Sequence, residues 1–131
     1  MSNYTFSAKS KANLTDVDPR LIEVTTLALT LSPIDFGIPS DGGVRTSARQ
    51  FELFQKKLSK ADGYDKLSEH QKGRALDFYA YVNGRASWEE SHLSLVAAAH
   101  LQAAIKLGYK IQWGGLWKGF IDMPHIQLIG E

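Results

Sequence analysis

Three segments of the chain place apolar residues three or four positions apart, which is the spacing of one helix face. The segments begin at Asp18, at about Ser47 and at Ser87, and the third ends at Gly108, a residue suited to a C-cap. The apolar faces consist of Leu21, Val24, Ala28 and Leu31 in the first segment, Phe51, Phe54 and Leu58 in the second, and Trp88, Leu95, Ala99, Ala103 and Leu107 in the third. The pattern therefore predicts three helices, each with apolar residues on one face.

Each predicted helix start carries a capping signal. Asp18 precedes a proline, which suits an N-cap followed by a first helical turn. Ser47 and Ser87 are followed three residues later by Gln50 and Glu90, the spacing of a capping box.

Four short segments read as strands because they alternate apolar and polar residues or are rich in aromatic and β-branched ones. They cover residues 34–38, 75–82, 109–113 and 125–129, and Asn83-Gly84 supplies a turn after the second. The order helix, strand, helix, strand, helix, strand, strand predicts an α+β fold. We expect a small, mainly antiparallel sheet packed with three helices.

Size and charge narrow the function classes. The chain has 131 residues, enough for a single domain over residues 1–131. A net charge of +1 gives no strong steering toward nucleic acid. The first 20 residues are polar and show neither the apolar core of a signal peptide nor a spanning segment. We therefore expect synthesis in a cytoplasm without stable membrane association.

The absence of cysteine restricts any metal site to His, Asp and Glu ligands. The histidines are His70, His92, His100 and His125. His92 and His100 lie eight residues apart near the stripe of the third helix, where we expect them to pack rather than bind metal.

His70 and Asp77 are seven residues apart, with Gly73 permitting a sharp bend between them. One interpretation is a packing accident in a loop that enters a strand. The other is a metal site at a sheet edge, in which neighbouring strands bring His125 beside Asp77 and His70 folds over the same edge. Three protein ligands and one open position are typical of catalytic zinc, which activates a bound water.

Asp122 lies three residues before His125, across Met123-Pro124. It is close enough in sequence to flank the metal without binding it, as a general base for the attacking water requires. The alternative is that Asp122 only caps the turn before Pro124.

Three motifs carry a resemblance to a known family. Residues 68–77, SEHQKGRALD, fit S-x-H-x-x-G-x-A-x-D. Residues 113–125 fit W-G-G-x-W followed by D-x-P-H, and residues 43–50 fit G-x-R-T-x-x-x-Q. In their order along the chain they resemble the zinc D-alanyl-D-alanine carboxypeptidase and dipeptidase superfamily, the VanY-like enzymes. The chain is most similar to the phage branch, the L-alanyl-D-glutamate endopeptidase endolysins.

The resemblance implies a role for each matching residue. The resemblance implies one Zn2+ per chain, and the positions of its ligands are matched by His70, Asp77 and His125. Asp122 matches the catalytic acid/base carboxylate, which is glutamate in some members. Arg45 matches an arginine that faces the substrate carbonyl or carboxylate, where a guanidinium can stabilise the oxyanion and hold a peptide anion through two hydrogen bonds. The alternative for Arg45 is a surface ion pair with Asp41 or Glu52.

Further residues are assigned to substrate binding. Gln50 and Ser68 match supporting positions that bind substrate, as Arg45 does, or orient a ligand. Gln50 could instead only complete its capping box. Trp117, in a glycine-rich loop, is predicted as a wall of the cleft.

The implied function is zinc-dependent hydrolysis of the peptidoglycan peptide stem, at the L-alanyl-D-glutamate bond, by a phage endolysin. It implies a monomer without a separate wall-binding domain that waits in the host cytoplasm for a holin-type membrane permeabiliser. One rival is a D-alanyl-D-alanine carboxypeptidase or dipeptidase, and another is a non-catalytic, metal-containing wall-binding module. Gln112 and Leu116 stand where the family often has acidic residues, which bears on substrate contacts more than on the metal.

Overall fold

A computed structural model of the chain describes residues 3–130. Within them, the helices are α1 (Ala8–Asn13), α2 (Pro19–Leu31), α3 (Ser47–Gln55) and α4 (Glu90–Leu107). The strands are β1 (Asp35–Gly37), β2 (Ala75–Asp77), β3 (Tyr79–Val82), β4 (Arg85–Ser87), β5 (Ile111–Trp113) and β6 (His125–Leu128). The predicted α+β class is confirmed. The helix count differs by α1, whose six residues are too few to show an apolar stripe in the sequence.

The strands of residues 3–130 form two antiparallel three-stranded sheets, where the sequence predicted one. One sheet has the order β1-β3-β4 and the other β2-β6-β5. The predicted strand over residues 75–82 divides at Phe78, so that β2 and β3 enter different sheets. Leu76, Phe78 and Ala80 are all fully buried. The alternation of buried and less buried residues therefore continues through Phe78, so the hydrophobic pattern could not show that the strand divides there.

The core lies between the sheets and the pair α2 and α4. Leu21, Val24 and Ala28 of α2 are fully buried, as their spacing predicted. On α4 the predicted stripe is partly wrong, because Trp88 and Leu95 are exposed. The buried residues of α4 are Leu93, Val96, Ala97, Ala99, His100, Ala103 and Ala104. The burial of His100 confirms that it packs.

The helix caps agree with the sequence in two cases. Asp18 accepts a hydrogen bond from the Arg20 amide, and Gly108 ends α4 in the left-handed conformation at φ +79°. Both predicted capping boxes are wrong. Thr46 caps α3, and Ser87 lies in β4, while among residues 3–130 no side chain caps α4.

The apolar face predicted for the helix α3 does not meet the core. Phe51, Phe54 and Leu58 are exposed instead. The structure describes every residue of α3, and the one that is buried is Gln50. The helix thus presents its apolar side outward because a polar side chain occupies the inner position.

Two glycines let loops reach the β2–β6 edge. Gly73 has φ +72°, which confirms the predicted bend, and its carbonyl accepts from the Asp18 amide at 2.8 Å. Gly43 approaches α1 so closely that a Cβ there would lie 2.0 Å from the carbonyl oxygen of Asn13. No helix within residues 3–130 has both the length and the apolar character to cross a bilayer.

Candidate metal centre and catalytic cleft

Strand pairing creates the cluster that the sequence suggested. β2 runs antiparallel to β6, and Asp77 lies directly opposite His125 in the register. His70 reaches the same edge from the turn before β2, so the predicted convergence at a sheet edge is confirmed. One potential ligand atom from each of these three residues lies within 4.8 Å of the other two.

The inner atoms of the cluster face one another closely. His125 Nδ1 lies 3.1 Å from Asp77 Oδ1 and 3.2 Å from His70 Nε2. His70 Nε2 is 3.3 Å from Asp77 Oδ1. His70 and His125 are buried and Asp77 is nearly so, so water supplies little of the solvation that these polar atoms need.

The outer nitrogen of each imidazole faces an oxygen that can only accept. His70 Nδ1 lies 3.0 Å from the Gly43 carbonyl, and His125 Nε2 lies 2.7 Å from Gln127 Oε1. Both outer nitrogens must therefore carry the hydrogen. In the neutral rings, the inner nitrogens then present lone pairs, as metal-binding histidines do when an outer partner fixes the tautomer.

This donor set fits a metal ion. With the outer hydrogens fixed, two imidazole lone pairs and a carboxylate oxygen converge at distances near 3.2 Å without a hydrogen to share. Such an arrangement is repulsive unless a proton or a metal cation lies among the three atoms. Two imidazole nitrogens and one carboxylate oxygen are ligands suited to zinc, and three protein ligands leave a position open.

Asp77 is kept ionised by its neighbours. Burial alone acts to raise the pKa of this carboxyl, but the charges and hydrogen bonds of His70 and His125 in their protonated forms outweigh it and hold the pKa well below its usual range. Its second oxygen, Oδ2, accepts from Arg45 Nη2 at 3.1 Å. The carboxylate thus offers one oxygen to the cluster and the other to a guanidinium.

Arg45 is held in three directions. Its Nε donates to the Asp41 carbonyl at 3.1 Å, Nη1 to Gln50 Oε1 at 3.2 Å and Nη2 to Asp77. The ion pairs considered as its alternative role, with the carboxylates of Asp41 and Glu52, are made by Arg49. The structure places Arg45 behind a cluster carboxylate and on the cleft wall.

The predicted supporting residues occupy different depths. Gln50 is fully buried, and its amide donates to Ser59 Oγ at 2.7 Å and to the Ala61 carbonyl at 2.9 Å, which ties α3 to the loop after it. It therefore stands behind Arg45 rather than on the cleft surface. Ser68 lines the cleft, and its hydroxyl oxygen accepts a hydrogen bond from the backbone N–H of Gln71 at 3.3 Å.

Asp122 lies beside the cluster, with Oδ2 3.7 Å from His125 Nδ1. Burial and then the charge of Asp77 raise the pKa of its carboxyl, against the opposing charges of His125, His70 and Arg45. The backbone of Asp122 forms the turn before Pro124, because its carbonyl accepts from the His125 amide at 3.3 Å. Its side chain is left to face the cleft.

The glycines of the W-G-G-x-W motif explain how Asp122 is placed. The Asp122 amide donates to the Gly114 carbonyl at 3.0 Å. A Cβ on Gly114 would lie 2.3 Å from the Asp122 carbonyl oxygen, so a side chain there would push the carboxylate away. Trp113 secures the same turn by donating from Nε1 to the Met123 carbonyl at 2.6 Å.

The cluster opens into a cleft of about 300 Å3. Its lining comprises Arg45, Leu53, Leu58, Ser59, Ser68, Glu69, His70, Asp77, Trp117, Phe120, Asp122, His125 and Gln127. As predicted, Trp117 forms part of the wall. Its ring centroid lies 5.1 Å from that of His125, and its Nε1 donates to Gln112 Oε1 at 2.6 Å.

Sequence reasoning missed Gln127 and the Gly43 carbonyl. Gln127 follows His125 by two residues on one strand, so both side chains point to the same side of the sheet. That spacing was a usable signal for a partner of the imidazole. The Gly43 carbonyl had no comparable signal, because its contact with His70 depends on how a distant loop folds.

The chain is similar to known proteins over nearly its whole length. The family described as phage L-alanyl-D-glutamate peptidase matches residues 1–129. The L-alanyl-D-glutamate peptidase of Escherichia phage T5 is 32% identical over 139 residues, which cover 97% of this chain and 99% of that protein. The crystal structure of the Serratia marcescens L-Ala D-Glu endopeptidase ChiX superposes with a TM-score of 0.84 at 35% identity, covering 96% of this chain and 91% of that one.

Proposed function

The chain belongs to the phage L-alanyl-D-glutamate peptidase family, and from this membership we propose that it hydrolyses the L-alanyl-D-glutamate bond of the peptidoglycan stem as an endolysin. The observation that carries the proposal is the convergence of His70, Asp77 and His125 beside a carboxylate of raised pKa, Asp122. These groups line a single cleft. A peptidase of this type needs both a place for a cation and a proton carrier next to it.

We assign one zinc ion per chain to His70 Nε2, His125 Nδ1 and Asp77 Oδ1. When bound there, zinc supplies Lewis acidity for the scissile carbonyl and a water of lowered pKa. The protein holds the three ligand atoms through oxygen partners on the two outer nitrogens and through Arg45 on the second oxygen of Asp77.

Asp122 acts as the proton carrier. Its carboxylate Oδ2 lies next to the cluster, where it can accept a proton from the attacking water. The surroundings that raise its pKa make the protonated carboxyl easier to form, and the acid can then deliver that proton to the leaving amine of D-glutamate. Arg45 adds a fixed positive charge near the developing oxyanion. Trp117, on the wall formed by the loop between β5 and β6, restricts the access of bulk water to the cleft.

The rival activities remain distinct from this proposal. A D-alanyl-D-alanine carboxypeptidase would release only a terminal D-alanine, and a wall-binding module would cleave nothing. The similarity of the chain to two proteins named for the L-alanyl-D-glutamate bond favours the endopeptidase. The proposal includes a single catalytic domain, a monomeric state, and release from the host cytoplasm with the help of a holin-type permeabiliser.

The experiment uses a synthetic L-alanyl-γ-D-glutamyl-diaminopimelate stem with its products identified by mass, for the parent and for Asp122→Asn. The parent should release L-alanine. Asp122→Asn should keep its metal and lose hydrolysis by roughly 10²- to 10⁴-fold, because the proton carrier is gone. Asp122→Glu, which keeps a carboxylate, should retain part of the activity.

Two results would count against the proposal. Release of a terminal D-alanine alone from a longer stem would assign the bond to the carboxypeptidase rival. Unchanged hydrolysis by Asp122→Asn would remove this residue from proton transfer.

A further inference from the structure

The exposed side of α3 and the loop after it form an organised apolar surface. It consists of Phe51, Phe54, Leu58 and Tyr64, which are 36%, 40%, 61% and 61% exposed; we call it the α3 aromatic face. The rings of Phe51 and Phe54 stack with centroids 6.3 Å apart, and Tyr64 meets Phe51 edge-on at 5.8 Å. Contiguous exposed apolar surface of this kind marks binding sites more often than chance.

The α3 aromatic face continues into the catalytic cleft. Leu58 belongs to both, since it lines the cleft together with Leu53 and Ser59. Trp117, Phe120 and Asp122 line it from the loop between β5 and β6. Lys60 Nζ lies 5.6 Å from the Phe120 ring centroid and joins the two walls. A substrate in the cleft therefore meets α3 on one side and the Asp122 loop on the other.

The position of Asp122 gives the substrate a direction. The leaving amine of D-glutamate must face Asp122 to receive its proton, so the acyl half of the bond extends toward the α3 wall. In peptidoglycan the acyl half is one L-alanine attached through a lactyl group to N-acetylmuramic acid. One residue spans about 3.5 Å, so the sugar must lie within roughly 10 Å of the scissile carbonyl.

We propose that the α3 aromatic face binds the glycan strand that carries the stem peptide. The proposal rests on the function proposed above. Sugar rings present C–H faces that pack on aromatic rings, and the amino-sugar backbone bears no charge once its lactyl group is amide-linked. The four side chains of the α3 aromatic face carry no charge, and their position beside the acyl side of the cleft matches that chemistry. The enzyme would thus recognise a stem still attached to its glycan.

The test compares two soluble substrates that share one tripeptide stem, one with the muramyl disaccharide and one without it. For the parent, kcat/KM should be about tenfold higher with the disaccharide, chiefly through KM. In the double variant Phe51→Ser, Phe54→Ser this ratio should fall close to one. The matched control is Ile105→Ser, which removes an exposed apolar side chain of α4 and should keep the parent ratio.

The outcomes that differ from this expectation separate glycan binding from the proposed function. A parent ratio near one, or a double variant that keeps the parent ratio, overturns glycan binding while the proposed function stands. An equal loss on both substrates assigns the face to support of the cleft and also overturns glycan binding. Binding of the parent to anionic phospholipid vesicles, lost in the double variant at an unchanged ratio, would assign the face to a lipid surface. Hydrolysis of neither substrate by the parent overturns the proposed function itself.

Discussion

At the scale of the residue, the candidate site is determined by what each cluster atom faces on its outer side. Gly43 and Gln127 each offer an oxygen that fixes the hydrogen on the outer nitrogen of a histidine. Arg45 occupies the second oxygen of Asp77. Because these partners fix the orientation of the three side chains, we expect metal affinity to depend on residues that do not themselves touch the metal.

Gln127 provides the sharpest test of this dependence. Gln127→Met has a similar side-chain length but cannot accept the Nε2 hydrogen of His125. We expect zinc affinity, measured by competition with a chromophoric chelator, to fall about 10- to 100-fold. In the metal-free protein, nitrogen NMR should show that His125 loses its fixed Nε2–H tautomer.

A matched control lies on the neighbouring strand. Gln112 is paired with Gln127 in the β5–β6 register, but its side chain holds Trp117 instead of a cluster histidine. Gln112→Met should therefore leave the His125 tautomer in place. An unchanged tautomer and unchanged zinc affinity in Gln127→Met would show that Gln127 does not orient the ligand.

The sequence identified the cluster residues, but it did not show which residues orient them. His70, Asp77, His125 and Asp122 stand in motifs whose spacing and residue types are visible in one chain. The Gly43 carbonyl belongs to the backbone, so the residue type at position 43 does not predict its contact with His70. The pairing of Arg45 with Asp77 joins residues 32 positions apart and follows only from the fold.

At the scale of the element, prediction succeeded where the buried face of a helix is mainly apolar, as the stripe of α2 is. The pairing of Asp77 with His125 across β2 and β6 was expected because strands next to each other in one sheet could bring the two residues together. The pattern did not show which side of α3 is buried, because Gln50 is buried by hydrogen bonds with Arg45, Ser59 and Ala61 while the phenylalanines face outward. Periodicity identifies an apolar face but not whether the core or a ligand covers it.

The contact between α2 and α4 contains a buried histidine that should couple stability to pH. His100 donates from Nδ1 to the Val96 carbonyl at 2.8 Å, so its Nε2 accepts from the Thr25 hydroxyl at 2.9 Å. Its ring stacks on Phe78 with centroids 4.9 Å apart. Burial lowers the pKa of His100 to about 4 from its ordinary value of 6.5.

The unfolded chain therefore binds a proton at His100 at a higher pH than the folded protein does. The stabilising contribution is complete above about pH 6.5 and is lost as the pH falls from there toward 4. Between about pH 7 and pH 4.5 this group should cost the folded state about 2 kcal/mol.

Urea unfolding of the parent and of His100→Gln across this pH range measures the effect. The other titrating groups are common to both proteins, so their contributions cancel in the comparison. The variant should lose about 2 kcal/mol less than the parent on acidification. Parallel stability profiles for the two proteins would contradict a buried, neutral His100.

At the scale of the whole molecule, one compact fold brings together segments that lie far apart in the sequence. The turn before β2, the β2–β6 edge and the loop before β6 supply the cluster and Asp122, while α3 supplies the opposite wall. The family resemblance anticipated this assembly from three motifs. The division into two sheets and the exposed α3 aromatic face needed the folded chain, because both depend on which surfaces meet.

The most direct test of the proposed metal-dependent hydrolysis is metal content measured together with hydrolysis of purified Gram-negative peptidoglycan, for the parent and for His70→Ala. We expect one zinc per chain in the parent and release of peptides that begin with D-glutamate, with L-alanine left on the muramyl groups. In His70→Ala we expect loss of the metal and at least about a 100-fold loss of hydrolysis, since a ligand is removed. A metal-free His70→Ala protein that cleaves peptidoglycan as fast as the parent would contradict the metal-dependent mechanism.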